Sequence, residues 1–183
     1  MKTESTSALK KTKSIVQSGL LAIGVILMTM ACGSTSSTGS SKDLHNFEQL
    51  RELVNSREFE IENDWAVPMR FTTINLIGNS NYIRFKGDSV EVFLPYFGVR
   101  QSGGGFGASG GIEYEGPAKD LSIEEDMAKN NILIKFEGRQ GSEQLQFIIT
   151  LFPKGNVSTS VNSSERDPIS YWGDVKATPA KKQ

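Results

Sequence analysis

Glu113 and Glu115 are residues whose types and spacing could do chemistry. On a strand, positions i and i+2 share a face. Two carboxyl groups about 5–9 Å apart can act as acid and base on a glycosidic bond. The same spacing describes an exposed strand face that carries charges, and that is the reading adopted. Just upstream, Gly105-x-Gly107-x-x-Gly110 lies within the glycine-rich run 103–111 and spells the dinucleotide-binding fingerprint. That fingerprint works when it opens a helix whose N-terminus receives a pyrophosphate. Here Ile112-Glu113-Tyr114-Glu115-Gly116-Pro117 follows, which reads as a strand and a break. A nucleotide site is therefore not expected. No Gly-Lys-Ser/Thr is present to make a phosphate-binding loop.

Recognition is the other chemistry this region offers. Tyr96, Phe97, Arg100, Phe106 and Tyr114 surround the glycines. Aromatic side chains beside a loop can wall a ligand cleft. Aromatics at strand ends also serve as rim packing, and both roles remain open. His45 is the only histidine and Cys32 the only cysteine. One of each supplies no metal-ligand set, so no metal and no cofactor are expected. The triplets at Asn156 and Asn162 match a glycosylation acceptor and carry no weight in this context. No catalytic residue is assigned.

Cys32 has a chemistry of its own. Lys10, Lys11 and Lys13 precede the apolar stretch 15–30, which ends at Ala31-Cys32-Gly33. A basic region, an apolar region and a small residue at the boundary make a secretory signal. The stretch is similar to a bacterial lipobox, with Thr29 and Met30 standing where Leu and Ala or Ser are usual. The resemblance implies cleavage before Cys32, a diacylglyceryl thioether on its sulfur and an acylated amino group, palmitate being a typical chain. Two or more acyl chains anchor stably where one is marginal. Gly33 is not the acidic residue that retains such proteins in the inner membrane. The expected location is the outer membrane, facing periplasm or cell exterior. An uncleaved membrane helix is the alternative.

Removal of residues 1–31 leaves 152 residues, enough for one cored domain. The chain has 20 Lys and Arg against 21 Asp and Glu. Four of those lysines and one glutamate lie in the first 31 residues, so residues 32–183 carry a net charge of −4. A mildly acidic chain without a basic cluster does not suit nucleic acid. With its only cysteine at position 32, a monomer forms no disulfide.

The elements that must position these residues follow from periodicity. Residues 32–42 are a Ser/Thr/Gly tether. Leu44, Phe47, Leu50, Leu53 and Val54 recur at helical spacing, with Asp43 or Ser41 able to cap and Asn55-Ser56 ending the pattern. From Phe59 the period becomes two. Strands are expected at 59–62, 71–77, 82–86, 90–94, 112–115, 132–137, 145–152, 157–161 and 169–175, with Pro68 as a break and Gly87-Asp88-Ser89 as a hairpin turn. Residues 176–183 read as a disordered tail. Short strands separated by turns predict a mainly β domain over 43–175, an antiparallel barrel or sandwich-like sheet with one N-terminal amphipathic helix.

Several separated blocks carry a family resemblance. They are the stretches 75–82, 87–90, 94–99, 111–117 and 161–166, beginning Asn75-Leu76-Ile77-Gly78-Asn79 and ending Ser164-Glu165-Arg166. Together they resemble the secreted bacterial family called domain of unknown function 4251, over roughly residues 45–175. The resemblance implies an exported or lipid-anchored single domain and brings no activity. The functional expectation is a lipid-anchored binding or interaction module that takes an unknown protein or small molecule. The alternatives are a structural envelope protein docked to another membrane protein, and a hydrolase using Glu113 and Glu115.

Overall fold

Helix α1 (Ser41–Ser56) opens the folded region, and its period sets what it touches. The computed structural model describes residues 41–101 and 110–178, with the backbone alone for residues 41–45. Phe47, Leu50 and Val54 fall on one face and are buried. Ser56 Oγ donates to the Leu53 carbonyl at 2.6 Å, and Arg57 turns the chain with a positive φ of 56°. That left-handed residue ends the helix.

The strands are β1 (Glu58–Pro68), β2 (Ile74–Asn75), β3 (Tyr82–Lys86), β4 (Ser89–Leu94), β5 (Ile112–Pro117), β6 (Lys119–Asp126), β7 (Asn131–Gln140), β8 (Glu143–Leu151), β9 (Asn156–Ser163) and β10 (Ile169–Ala177). Every pairing is antiparallel, in the order β5-β4-β3-β1-β10-β9-β8-β7-β6, with β2 paired to β1. The two ends of that order are consecutive in the chain. Only Ala118 separates β5 from β6, and its N–H donates to the Asp88 carbonyl at 2.9 Å. The two strands are one bent stave that hydrogen-bonds β4 with its first part and β7 with its second. At the seam the Glu113 N–H reaches Gln140 Oε1 at 3.1 Å. The Tyr114 ring lies on Gly138, where a Cβ would come within 2.9 Å of it. The result is a nearly closed up-and-down barrel, the first of the two β architectures the sequence allowed.

Alternation fills the interior. Phe59 stacks on Phe85 at 4.6 Å, Phe85 meets Phe136 edge-on at 5.5 Å, and Phe136 stacks on Phe147 at 4.5 Å. These rings cross the barrel from β1 and β3 to β7 and β8. Ile61, Ile83, Val92, Ile134 and Ile149 pack around them. Each fully buried ring stabilises the fold by about 1.5–3 kcal/mol. The helix covers the end that holds the β8–β9 turn, where Leu50 and Leu53 face Pro153, Gly155 and Val175.

Three expectations change. The strand expected over 71–77 shrinks to Ile74–Asn75, and Phe71 is 56% exposed. The Ile77 N–H donates to Asn75 Oδ1 at 2.9 Å, which curls the chain into a turn instead. Strand β6 was hidden by its acidic, half-exposed sequence at the bent stave. Lys176 and Ala177, expected in the tail, are the last residues of β10, and Lys176 pairs with Glu60 at 3.3 Å.

Candidate functional site

The barrel end opposite the helix gathers most of the residues singled out for recognition. There the β7–β8 turn, the end of β9 and the chain after β4 converge on a buried ion pair. Arg166 Nε and Nη2 donate to the two oxygens of Glu143 at 2.8 and 2.9 Å, and both side chains are 1% exposed. Arg166 Nη1 donates to the Gly111 carbonyl at 2.8 Å, and Ser163 Oγ also bonds Glu143. The bidentate geometry satisfies both carboxylate oxygens inside the fold. Arg100 pairs with Glu165 at 3.1 Å and Glu143 at 3.5 Å, and Ser142 Oγ donates to Glu165 at 2.7 Å. The Ser142 and Arg100 hydrogen bonds hold the Glu165 carboxyl below the usual carboxylate range.

Tyr96 lies beneath Arg166, whose guanidinium carbon is 5.1 Å from the ring centre. Its hydroxyl lies 3.0 Å from the Val99 carbonyl and 3.1 Å from that of Asp167. Burial, then the nearby Asp167 charge, pushes this phenol up. Phe97 packs on the core. The structure thus brings Tyr96, Phe97 and Arg100 together. Tyr114 stands apart at the seam, its hydroxyl donating to the Pro117 carbonyl at 2.6 Å, with burial raising its titration. Phe106 and Cys32 lie outside the described residues. Of the fingerprint glycines only Gly110 is described, and strand β5 follows it. Residues 107–111 also spell Gly-x-Ser-x-Gly, but a nucleophile elbow leads into a helix, and here a strand follows.

Glu113 and Glu115 pair with Phe93 and Glu91 on the outer face of the barrel, while their neighbours Ile112 and Tyr114 turn inward. That face belongs to a charged wall. Glu91 accepts from Tyr82 at 2.6 Å, Lys86 at 2.9 Å and Arg84 at 3.1 Å, and Arg84 Nε reaches Glu60 at 2.6 Å. The bonds from Tyr82 and Lys86 hold the Glu91 carboxyl down at about 2. His45 lies on α1, and no group of three metal-ligating side chains occurs among the described residues.

A second site went unread in the sequence. Trp65 is 40% exposed, Trp172 51% and Phe152 40%, and all three line one groove of about 490 Å³ with Asp64, Asn156, Ser158 and Asp174. A register shift between Asn63 and Trp65 builds it. Before this bulge Phe59, Ile61 and Asn63 are buried, and after it Ala66 and Pro68 are. The shift turns Trp65 outward, directly opposite Trp172. Gly173 permits the bulge, because a Cβ there would sit 2.0 Å from the Glu62 carbonyl oxygen and 2.5 Å from Asn63 Cα. A glycine within an alternating strand was the available signal. On the same outer face as the indoles, β9 carries Ser158, Ser160 and Asn162, and β8 carries Thr150, Ile148, Gln146 and Gln144 with increasing distance from them, all uncharged.

The fold and these two regions define a small antiparallel up-and-down barrel with a helical lid, a buried ion pair at one end and an exposed aromatic groove on its wall. The family described as "Domain of unknown function (DUF4251)" matches residues 41–175, and the chain belongs to that family. The fold is similar to the crystal structure of a DUF4251 family protein from Bacteroides eggerthii DSM 20697. That likeness has a TM-score of 0.55 and 16% sequence identity, and covers 73% of this chain and 88% of the other. No curated protein matches.

Proposed function

We propose that this chain is a lipid-anchored envelope protein whose barrel is a non-catalytic surface-recognition module. The filled interior carries the reading. The column Phe59, Phe85, Phe136 and Phe147 occupies the space where a carrier barrel would hold cargo. One end lies under α1 and the other is plugged by Arg166 and Glu143. Binding is therefore assigned to the outside, where Trp65, Phe152 and Trp172 are presented. Glu113 and Glu115 lie on a convex outer face, which offers no enclosed seat for a glycosidic bond.

The anchor rests on Lys10, Lys11, Lys13, the apolar stretch and Ala31-Cys32. Among the described residues no helix is long and apolar enough to cross a membrane. Cys32→Ser should move the protein from the membrane fraction to the soluble fraction, since no thioether can form. A mutant that stays with the membranes overturns the lipid assignment. The envelope is the place where a tethered recognition domain meets its partners, and the outer membrane is the location we assign.

A specific observation favours docking to another envelope protein as the second reading. Met69, Phe71 and Ile77 are exposed along the connection from β1 to β3. Cross-linking in cells followed by purification should then recover one dominant partner, and an empty capture counts against it.

A further inference from the structure

We infer that the groove between Trp65, Phe152 and Trp172 binds an uncharged glycan chain; this deepens the surface-recognition reading and rests on it. The chain has two tryptophans, and both are exposed in this one groove. Exposing an indole costs burial that the fold could otherwise use. The fold also spends a bulge, and a glycine that no other residue can replace without a clash, to hold Trp65 there.

The lining selects the ligand. A sugar ring is amphipathic: polarised C–H groups cover its faces and hydroxyls surround its edge. Indole faces are electron-rich and attract the C–H side. The hydroxyls then need both donors and acceptors at the groove's border. Asp64 and Asp174 accept there, the Asn156 amide donates to Asp174 at 3.0 Å and has a second N–H, and the Ser158 hydroxyl does both. From the groove the row Trp65, Trp172 and Ser158 continues to Thr150, across four adjacent strands through direct pairings. Along β8 and β9 the surface then continues through Ser160 and Ile148 to the Asn162 and Gln146 amides, which bond each other at 3.2 Å. A linear polymer of hydroxylated rings fits such a track.

Charge excludes other occupants. The carboxylates of Asp64 and Asp174, and the net charge of −4 over residues 32–183, repel polyanions. Paired charges line other parts of the barrel wall, Glu60, Arg84 and Glu91 on one side and Glu124 and Lys135 on another. Lys176, two residues beyond Asp174 in the chain, is held by Glu60 and Glu62. A lysine-rich peptide is the rival, since carboxylates and indoles together also suit ammonium groups.

The test uses the full chain in a non-sugar detergent. Cellotetraose, chitotetraose, maltotetraose and a lysine-rich hexapeptide are titrated while tryptophan emission is followed, because both reporters lie in the groove. A saturable shift with at least one tetrasaccharide is expected. Calorimetric titration of Trp172→Ala and Trp65→Ala should then read a loss of affinity of at least tenfold, with the melting temperature of each variant near that of the parent. Trp172→Phe should keep part of the binding. The glycan inference is overturned if no tetrasaccharide binds, or if binding survives both alanine variants. A response to the peptide alone also overturns it, while leaving surface recognition standing. Silence from every probe together with an empty cellular cross-link would remove the recognition reading as well.

Discussion

The two ends of this barrel are closed by opposite means. At one, α1 lays Phe47, Leu50 and Val54 over the strand ends, and closure is apolar burial. At the other, Arg166 and Glu143 lock together over the Tyr96 ring, and closure is charge held in a fixed geometry. Apolar burial is nearly non-directional, so its loss is graded with the atoms removed. A buried ion pair has no such tolerance, because each partner left alone is an uncompensated charge. The helical end is accordingly the forgiving one and the ionic end the specifying one.

The sharpest way to break this comparison is Glu143→Ala. It should cost about 3–5 kcal/mol in urea unfolding, because Arg166 keeps its charge in a dry site. Replacing both partners together, Glu143→Leu with Arg166→Met, should recover most of that loss; a double variant as unstable as the single would place the cost in packing instead. Leu50→Ala at the helical end should cost about 2–4 kcal/mol. If it exceeds the Glu143→Ala effect, the ranking of the two ends is reversed.

Between the ends, Thr159 offers a third and smaller comparison. It is fully buried in the barrel, and its hydroxyl has no hydrogen-bond partner among the described residues. Thr159→Val should stabilise by about 1 kcal/mol, as it removes an unpaired polar atom at nearly constant volume. A destabilised variant would mean that the hydroxyl is satisfied by water.

Acid separates the regions without mutation. Glu165 and Glu91 are both depressed in the fold. A depressed carboxyl binds protons more weakly when folded, so its stabilisation is present above the unfolded value and is lost as pH falls. For Glu91 the window runs from the ordinary 4.5 down to about 2. Hydrogen exchange followed from pH 6 to pH 3 should therefore show protection fading around residues 99–101 and 164–167 while the helical end, closed by apolar burial, keeps its own. Simultaneous loss at both ends would sink the distinction.

What the sequence made legible follows from local pattern. Helix α1 was readable because Phe47, Leu50 and Val54 repeat within three turns, and the β3–β4 hairpin because Gly87 sits in a short turn between alternating runs. The ion pair was not read, since Arg166 and Glu143 are joined only by folding. One clue existed: Glu143 shares its face with Leu145, Phe147, Ile149 and Leu151, so alternation already placed a carboxylate on the core side. Tyr96, Phe97 and Arg100 stand out in the sequence by their nearness to the glycines, and they lie at the ionic end of the barrel, away from the tryptophan groove. The groove escaped because a bulge flips alternation part-way along β1, and Trp65 by itself looks like one more strand aromatic. The bent stave escaped because β6 is acidic and follows β5 almost without a turn.

The pairing of β1 with β10 has a kinetic consequence. Every other neighbouring pair on the barrel path joins strands that are close in the chain, but this one joins Phe59 to Ala177. Long-range pairing is the slow part of folding. As the chain emerges, β1 keeps one edge unpaired until the last strand arrives, and an unpaired edge invites other chains. The closing strand is thus the commitment step. Shortening the chain before Ile169 would leave an open, adhesive sheet in place of a smaller barrel.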